Sequence, residues 1–194
     1  GEAVVTTFRN DTAEFEMLGS QRPIGRLTGS LGAWVMTRRF VSAGEEALAP
    51  PTDQRGFALF AYEELGGEHL TFQFGARVER ASFTPDADLP ARAFTNLSGS
   101  VGLLARPTEG TTLAISLARA SRNPALEELY NNGPHAGNFA FEIGDPTLES
   151  EHALGFDVAF RWRQPRATGE VSYFLTDIRP FIYRRLTGEV DHGL

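Results

Sequence analysis

Apolar residues recur at every second position through most of this chain. In 152–162, Leu154, Phe156, Val158, Phe160 and Trp162 share one face, opposite Ala153, Gly155, Asp157, Ala159 and Arg161. In 70–79, Leu70, Phe72, Phe74, Ala76 and Val78 oppose Thr71, Gln73, Gly75, Arg77 and Glu79. The same alternation sets Leu113, Ile115 and Leu117 against Thr112, Ala114, Ser116 and Ala118. It also sets Leu27, Leu31, Ala33 and Val35 against Arg26, Thr28, Ser30, Gly32 and Trp34. Weaker versions lie at 97–105, 169–176 and 56–64, with two more at 3–9 and 12–18. A period of two is the signature of strands with unlike faces. The fold class expected is therefore all-β, an antiparallel up-and-down meander of roughly eight to ten strands, with a transmembrane β-barrel favoured over a soluble sandwich by strand length and loop alternation; the family resemblance given below makes it part of a transmembrane β-barrel.

Length favours the membrane. The alternating segments run for roughly eight to twelve residues, where soluble strands average about five or six and a tilted strand crossing a bilayer needs about 9–11. The connections alternate as well. Short ones are expected at 19–24, 65–69, 106–110 and 163–168, and long ones at 37–55, 81–94 and 122–151. Outer-membrane barrels produce this alternation, with short turns at one end and longer loops at the other.

The polar faces separate a wide barrel from a small one. Gly32, Gly75, Ala114, Ala118, Gly155 and Ala159 fill an interior poorly, whereas a small closed barrel has to be filled by side chains. A wide lumen holding water or a plug suits them. Arg77, Glu79, Asp157 and Arg161 are expected as lumen-wall charges of mixed sign. Trp162 sits where an aromatic girdle is expected, and Phe57, Phe60, Tyr62, Tyr173 and Tyr183 fall near expected strand ends.

Composition narrows the partners. Of the 194 residues 41% are hydrophobic, spread singly, so no run approaches the ~20 apolar residues of a spanning helix. The net charge of −7 and the absence of a basic run leave no nucleic-acid footprint. The chain has no cysteine, which removes disulfide scaffolds and thiolate metal sites. It has no Gly-x-Ser-x-Gly elbow, phosphate-cradling glycine loop or His-Glu-x-x-His, so the expectation is no catalytic residues, no cofactor and no enzyme.

The segment between Arg122 and Glu151, RNPALEELYNNGPHAGNFAFEIGDPTLESE, is a polar insertion between two alternating segments. A loop of about 30 residues inside a compact domain is uncommon and usually functional. Asn123-Pro124 reads as the start of a short helix through Tyr130, with Asn123 as N-cap, Pro124 in the first position and Asn132-Gly133-Pro134 as the stop. The wording Arg-x-Pro, Glu-Leu-Tyr, Gly-Pro-His and Phe-Glu-Ile-Gly-Asp-Pro-x-Leu-x-x-Glu resembles TonB-dependent outer-membrane receptors, most closely the branch associated with zinc and related metal uptake. FALFAYEE at 57–64, QFGARVE at 73–79, SRNPALEELY at 121–130 and FIY at 181–183 look like consecutive barrel strands of that family.

The resemblance implies a barrel of about 22 strands, a plug domain inside it, a bacterial outer-membrane location, contact with outer-membrane lipid and energy from the TonB complex. Against that pattern the chain lacks a plug and a TonB-contact segment, and it ends Asp191-His192-Gly193-Leu194 in place of a strand with a terminal aromatic. It is therefore expected to be an internal piece of an active transporter for a metal ion or metal chelate, zinc or an iron chelate being the candidate cargo. The alternative is a small self-contained outer-membrane barrel with a structural or enzymatic role. A soluble lipocalin-like binder would need the opposite facing.

Candidate substrate-binding residues are Arg122, His135, Glu142, Asp145, Glu149 and His152, with His135 and Glu142 as candidate metal ligands. Imidazole and carboxylate suit Zn²⁺, and affinity for it should fall below the imidazole pKa of about 6.5. No tight spacing such as His-x-x-x-His supports them, and a solvated acidic loop accounts for the same residues. Asp145 with Pro146 reads as a turn, and Arg122 as a partner of Glu127 or Glu128 that is also placed to attract an anionic chelate.

Overall fold

In a computed structural model, residues 6–44, 47–86, 88–135 and 140–188 are described. Eight strands form one antiparallel sheet: β1 (Thr6–Ser20), β2 (Leu27–Gly44), β3 (Thr52–Gly66), β4 (Leu70–Pro85), β5 (Arg92–Thr108), β6 (Thr111–Arg122), β9 (Glu151–Gln164) and β10 (Ala167–Arg179). Between β6 and β9 lie α1 (Leu126–Tyr130) and a small hairpin of β7 (Asn132–His135) and β8 (Ala140–Ile143). Every strand of the large sheet pairs with its neighbour in that order, and β1 and β10 are its two edges, so the barrel wall is not closed. The meander and strand number match the expectation. The segments at 3–9 and 12–18, read as separate strands, form the single β1 from Thr6 onward; residues 3–5 lie outside the described residues, as do 191–194.

Register carries the alternation across the sheet. Phe72, Leu103 and Ile115 align with Val158 and Tyr173 on one face, while Ser116 and Asp157 pair on the other. Exposure along β3 and β4 is inverted relative to a soluble protein. Thr52, Gln54, Gly56 and Ala58 are buried, whereas Phe57, Leu59, Phe72 and Phe74 between and beside them are 40–48% exposed. The apolar side therefore faces outward and the polar side inward. The contrast fades in β9 and β10, where Asp157 and Arg161 are exposed on the inner face beside an open edge.

The connections at 45–51, 86–91 and 123–150 leave one end of the sheet, and those at 21–26, 67–69, 109–110 and 165–166 leave the other. The loops expected at 37–55 and 81–94 are mostly strand: β2 runs for 18 residues and β5 for 17. Their hydrogen-bonded ladders continue past the apolar band, where outward positions such as Asp53, Arg55, Arg80 and Thr95 are polar while Phe40, Phe83 and Phe94 take the inner face, so the alternation loses its sense. The 109–110 turn needs its glycine. Gly110 has φ +78°, and a Cβ there would lie 2.3 Å from the Arg163 carbonyl, whose own N–H donates to Gly110 O at 2.6 Å.

Two corrections concern the inner face. Phe60 and Tyr62 lie on it, in register with Arg77 and Gly75, so they belong to no lipid-facing girdle. Gly32 is not bare either, because a Cβ there would sit 2.2 Å from the Phe60 ring, and the glycine makes room for the neighbouring aromatic. Phe181-Ile182-Tyr183, read as strand, follows β10 without strand structure. Trp162 does sit on the outward face near the short-turn end, stacked on Phe160 at 5.9 Å and covering Gly169.

Val158 and Asp157 offer a direct check of facing. In the full-length receptor, Val158→Arg should cost about 2–4 kcal/mol of folding stability in lipid, and Asp157→Arg well under 1. Equal costs in denaturant titrations from vesicles would contradict the assignment of the two faces.

Candidate functional site

The 123–150 loop turns inward over the inner face at the long-loop end. Leu126, Leu129 and Tyr130 of α1 are almost wholly buried against Phe83, Phe94 and Ala49, with Phe40, Ala81 and Leu148 beside them. Phe83 and Phe94 meet edge to face at 6.0 Å. This is the main apolar core among the described residues, and it holds the loop rather than the sheet. Polar contacts fix the same pose: the Tyr130 hydroxyl donates to Pro90 O at 2.9 Å, Asn132 N to Leu48 O at 2.7 Å and Arg92 Nη2 to Leu148 O at 2.7 Å.

The helix is shorter than expected and differently capped. Ala125 is the N-cap, and the Glu128 carboxylate accepts the Ala125 N–H at 2.7 Å. Asn123 is occupied elsewhere, its Oδ1 accepting from Asn96 Nδ2 and, at 3.1 Å, from Ser150 Oγ, which ties the two ends of the loop to β5. Gly144 permits the close return of the chain, since a Cβ there would lie 2.7 Å from the backbone of Leu129 and Tyr130.

Two of the candidate residues act as supports. Arg122 bonds Glu151 at 2.6 Å and Glu128 at 2.9 Å, joining the end of β6, the start of β9 and the first turn of α1. The Glu151 side chain is only 8% exposed and also accepts the Ile182 N–H, so Arg122 neutralises a carboxylate that water scarcely reaches. Glu128 is one of the two partners read from the sequence, and Glu151 is the one missed. Asp145 forms the anticipated turn. Its Oδ1 accepts the Thr147 hydroxyl at 2.6 Å and the Thr147 N–H at 2.8 Å, and these bonds hold its carboxyl below the usual range.

The remaining four candidates fall into two places. In the β7–β8 hairpin, Glu142 Oε1 meets His135 Nδ1 at 3.1 Å and Arg184 Nη1 at 2.6 Å, and Oε2 accepts Asn131 Nδ2 at 2.8 Å. His135 is 42% exposed and Glu142 12%. Asn131 is buried, and its Oδ1 has no hydrogen-bond partner among the described residues. Glu149 and His152 instead border a cleft between β5 and β6, with His152 Nδ1 held by Ser121 Oγ at 3.0 Å. No group of three or more His, Asp or Glu arranged for a metal is found among the described residues. Two donors from His135 and Glu142 would need ligands from the cargo itself.

The lumen-wall charges mostly satisfy one another. Arg77 bonds Glu79 at 2.6 Å and lies over the rings of Trp34 and Phe60 at 5.4 and 5.5 Å. Arg161 bonds Glu170 at 2.7 Å, and Ser116 Oγ donates to Asp157 at 3.4 Å. The inner aromatics Trp34 and Phe60 escaped sequence reasoning as a pair, because only cross-strand register brings them to Arg77.

An open antiparallel sheet with an apolar exterior, a charged interior and a loop folded inside its outer rim is the wall of a transmembrane β-barrel. The family model described as TonB dependent receptor-like, beta-barrel matches residues 5–192, and the chain belongs to that family. Solved structures share the fold. The copper transporter OprC superposes with a TM-score of 0.71 at 16% identity, covering 91% of this chain and 30% of that one. The FrpB iron transporter of Neisseria meningitidis (F3-3 variant) gives 0.69 at 17%, covering 88% and 28%. A double mutant of the Serratia marcescens hemophore receptor HasR, in complex with its hemophore HasA and heme, gives 0.68 at 18%, covering 89% and 33%. The chain thus spans about a third or less of the length of these proteins.

Two substitutions test the site's construction. Leu129→Ala should remove about 2–5 kcal/mol of local packing, so protease cleavage within 123–150 should accelerate while the strands stay protected. Thr147→Val should raise the Asp145 pKa toward its ordinary value. A depressed folded-state pKa stabilises the turn above the usual carboxylate range, and that contribution is lost as pH falls through the depressed value. A carboxyl NMR titration unchanged by the substitution would contradict Thr147 as the cause.

Proposed function

We propose that this chain is part of the barrel of an outer-membrane active transporter that takes up a metal ion or metal chelate with energy supplied through TonB. The observation that carries the reading is the inward-folded 123–150 loop, which presents the His135–Glu142 pair on a barrel wall of the TonB-dependent receptor family. The neighbours in fold are titled as copper and iron transporters and as a receptor bound to a heme-carrying hemophore. Cargo meeting the outer rim encounters an imidazole and a carboxylate together with Arg184, beside the buried Asn131. The partners belonging to this reading are outer-membrane lipid on the apolar face, the receptor's own plug and remaining strands on the polar face and edges, and the TonB complex reached through the plug.

His135 and Glu142 differ in role. His135 is the more accessible donor, and Glu142 is held in place by Asn131 and Arg184 among the described residues. The experiment is uptake of zinc and of an iron chelate by the full-length receptor, comparing His135→Ala and Glu142→Ala with the unaltered protein at equal surface expression. One of the two cargoes should show at least about tenfold weaker affinity in both variants, the equivalent of a single lost charge-assisted contact. Unchanged uptake and affinity of both cargoes would return the pair to a purely structural role.

A further inference from the structure

Arg122 and Arg184 both neutralise a shielded carboxylate at the loop end, and they do so in unlike ways. Arg122 is gripped by Glu128 and Glu151 together and joins three elements. Arg184 meets Glu142 through one N–H, with Nη1 at 2.6 Å from Oε1. Its side chain is 73% exposed, whereas that of Glu142 is 12% exposed. Arg184 stands on the segment after β10, which has no strand structure and whose Ile182 N–H is bonded separately to Glu151. The carboxylate is thus fixed and shielded, and the cation facing it is solvated.

The two partners have unequal stakes. An exposed guanidinium that returns to water loses little, since exposed ion pairs contribute little. A shielded carboxylate stripped of its cation pays heavily. Glu142 therefore requires a positive partner without requiring this one. The groups around it select the replacement. His135 Nδ1 lies 3.1 Å from the same Oε1, and Asn131 Nδ2 donates to Oε2 at 2.8 Å. Asn131 is 5% exposed, and its Oδ1 has no hydrogen-bond partner among the described residues. The amide's own geometry keeps that oxygen beside the carboxylate. A buried acceptor without a donor calls for an explanation, and a cation supplies one. Carboxylate, imidazole and amide oxygen form a donor set that suits a divalent ion such as Zn²⁺.

We propose that Arg184 is an exchangeable counter-ion for Glu142, and that the cargo replacing it is a hydrated divalent metal ion rather than an anionic chelate. In the present arrangement His135 Nδ1 donates to Oε1. The ion takes that place with the ring in its other tautomer, the hydrogen on Nε2 and the lone pair on Nδ1. Glu142 gives Oε1, Asn131 gives Oδ1, and water carried by the ion fills the remaining positions. One guanidinium leaves as one ion enters, so Glu142 stays neutralised throughout. An anionic chelate gains nothing from the exchange, because it would meet a carboxylate whose guanidinium had gone. Departure of Arg184 unties it from the β7–β8 hairpin while the bond from Ile182 to Glu151 remains. The inference rests on the metal-uptake reading above and adds the form of the cargo and the group it displaces.

The test is calorimetric titration of zinc ions, and separately of ferric citrate, into the full-length receptor in nanodiscs. Arg184→Gln should bind zinc about fivefold tighter or more, because the competitor is gone while the ion's own contacts remain. Arg184→Lys keeps a point charge for a single N–H contact and should bind as the unaltered receptor does. Asn131→Ala and Glu142→Gln should bind more weakly, and Arg166→Gln at the opposite end equally. Trypsin gives an independent readout. In an Arg185→Gln background, cleavage after Arg184 should accelerate when zinc is added, since the released guanidinium can then enter the protease. Heat-modifiable migration on gels reports folding; should Arg184→Gln fail to fold, the trypsin comparison, which keeps Arg184, decides. Where the unaltered receptor binds zinc, equal or weaker binding by Arg184→Gln overturns the proposal alone, as does zinc-independent cleavage after Arg184. Tightened binding of ferric citrate in place of zinc overturns the assignment of the cargo. Absence of zinc binding in both the unaltered receptor and Arg184→Gln overturns the metal-site reading beneath it as well.

Discussion

A backbone placed in lipid has no water to bond to, so each N–H and C=O must find a partner within the protein. The order β1-β2-β3-β4-β5-β6-β9-β10 answers that demand with long antiparallel ladders between neighbours in sequence. The other features follow from it. Residues must alternate between lipid and lumen, which puts Phe72 and Phe74 outside and Thr71 and Gln73 inside. Most of the sheet's apolar side chains are committed to the exterior, and among the described residues it contributes to an apolar core where Phe40, Phe83 and Phe94 line its inner rim. What core there is holds the loop at the rim.

The same demand decided how much the sequence revealed. Where one face meets lipid the alternation is strong, and β4, β6 and β9 are legible residue by residue. Past the band the outward positions turn polar and the apolar ones, Phe40 and Phe94, move to the inner face, so the upper halves of β2 and β5 resemble loops although their ladders are intact. Inner-face packing was hidden for another reason. Gly32 reads as an empty position until register sets Phe60 beside it, and register is a relation between strands that no single segment encodes.

The loop residues were legible in kind and not in grouping. Asp145 declares its turn locally, since the acceptor and both donors lie within two residues. Glu142, by contrast, gathers partners from Asn131, His135 and Arg184, the last of them 42 positions away. His152 looked like part of the loop but points outward from β9. Asn123 was read as a cap because its sequence neighbours fit one, yet its side chain answers to Asn96 and Ser150 across the split between β5 and β6.

Glu151 is shared. One oxygen takes the Arg122 guanidinium and the other the Ile182 N–H, so a single side chain holds the base of the 123–150 loop and the segment that follows β10. Two neighbouring excursions of the chain are thereby yoked. If the first swings away and carries Arg122 with it, the acid is left with a bare charge in a place nearly closed to water, and its grip on the second changes too. The two excursions therefore share one anchor at the barrel rim, set by a side chain that belongs to neither.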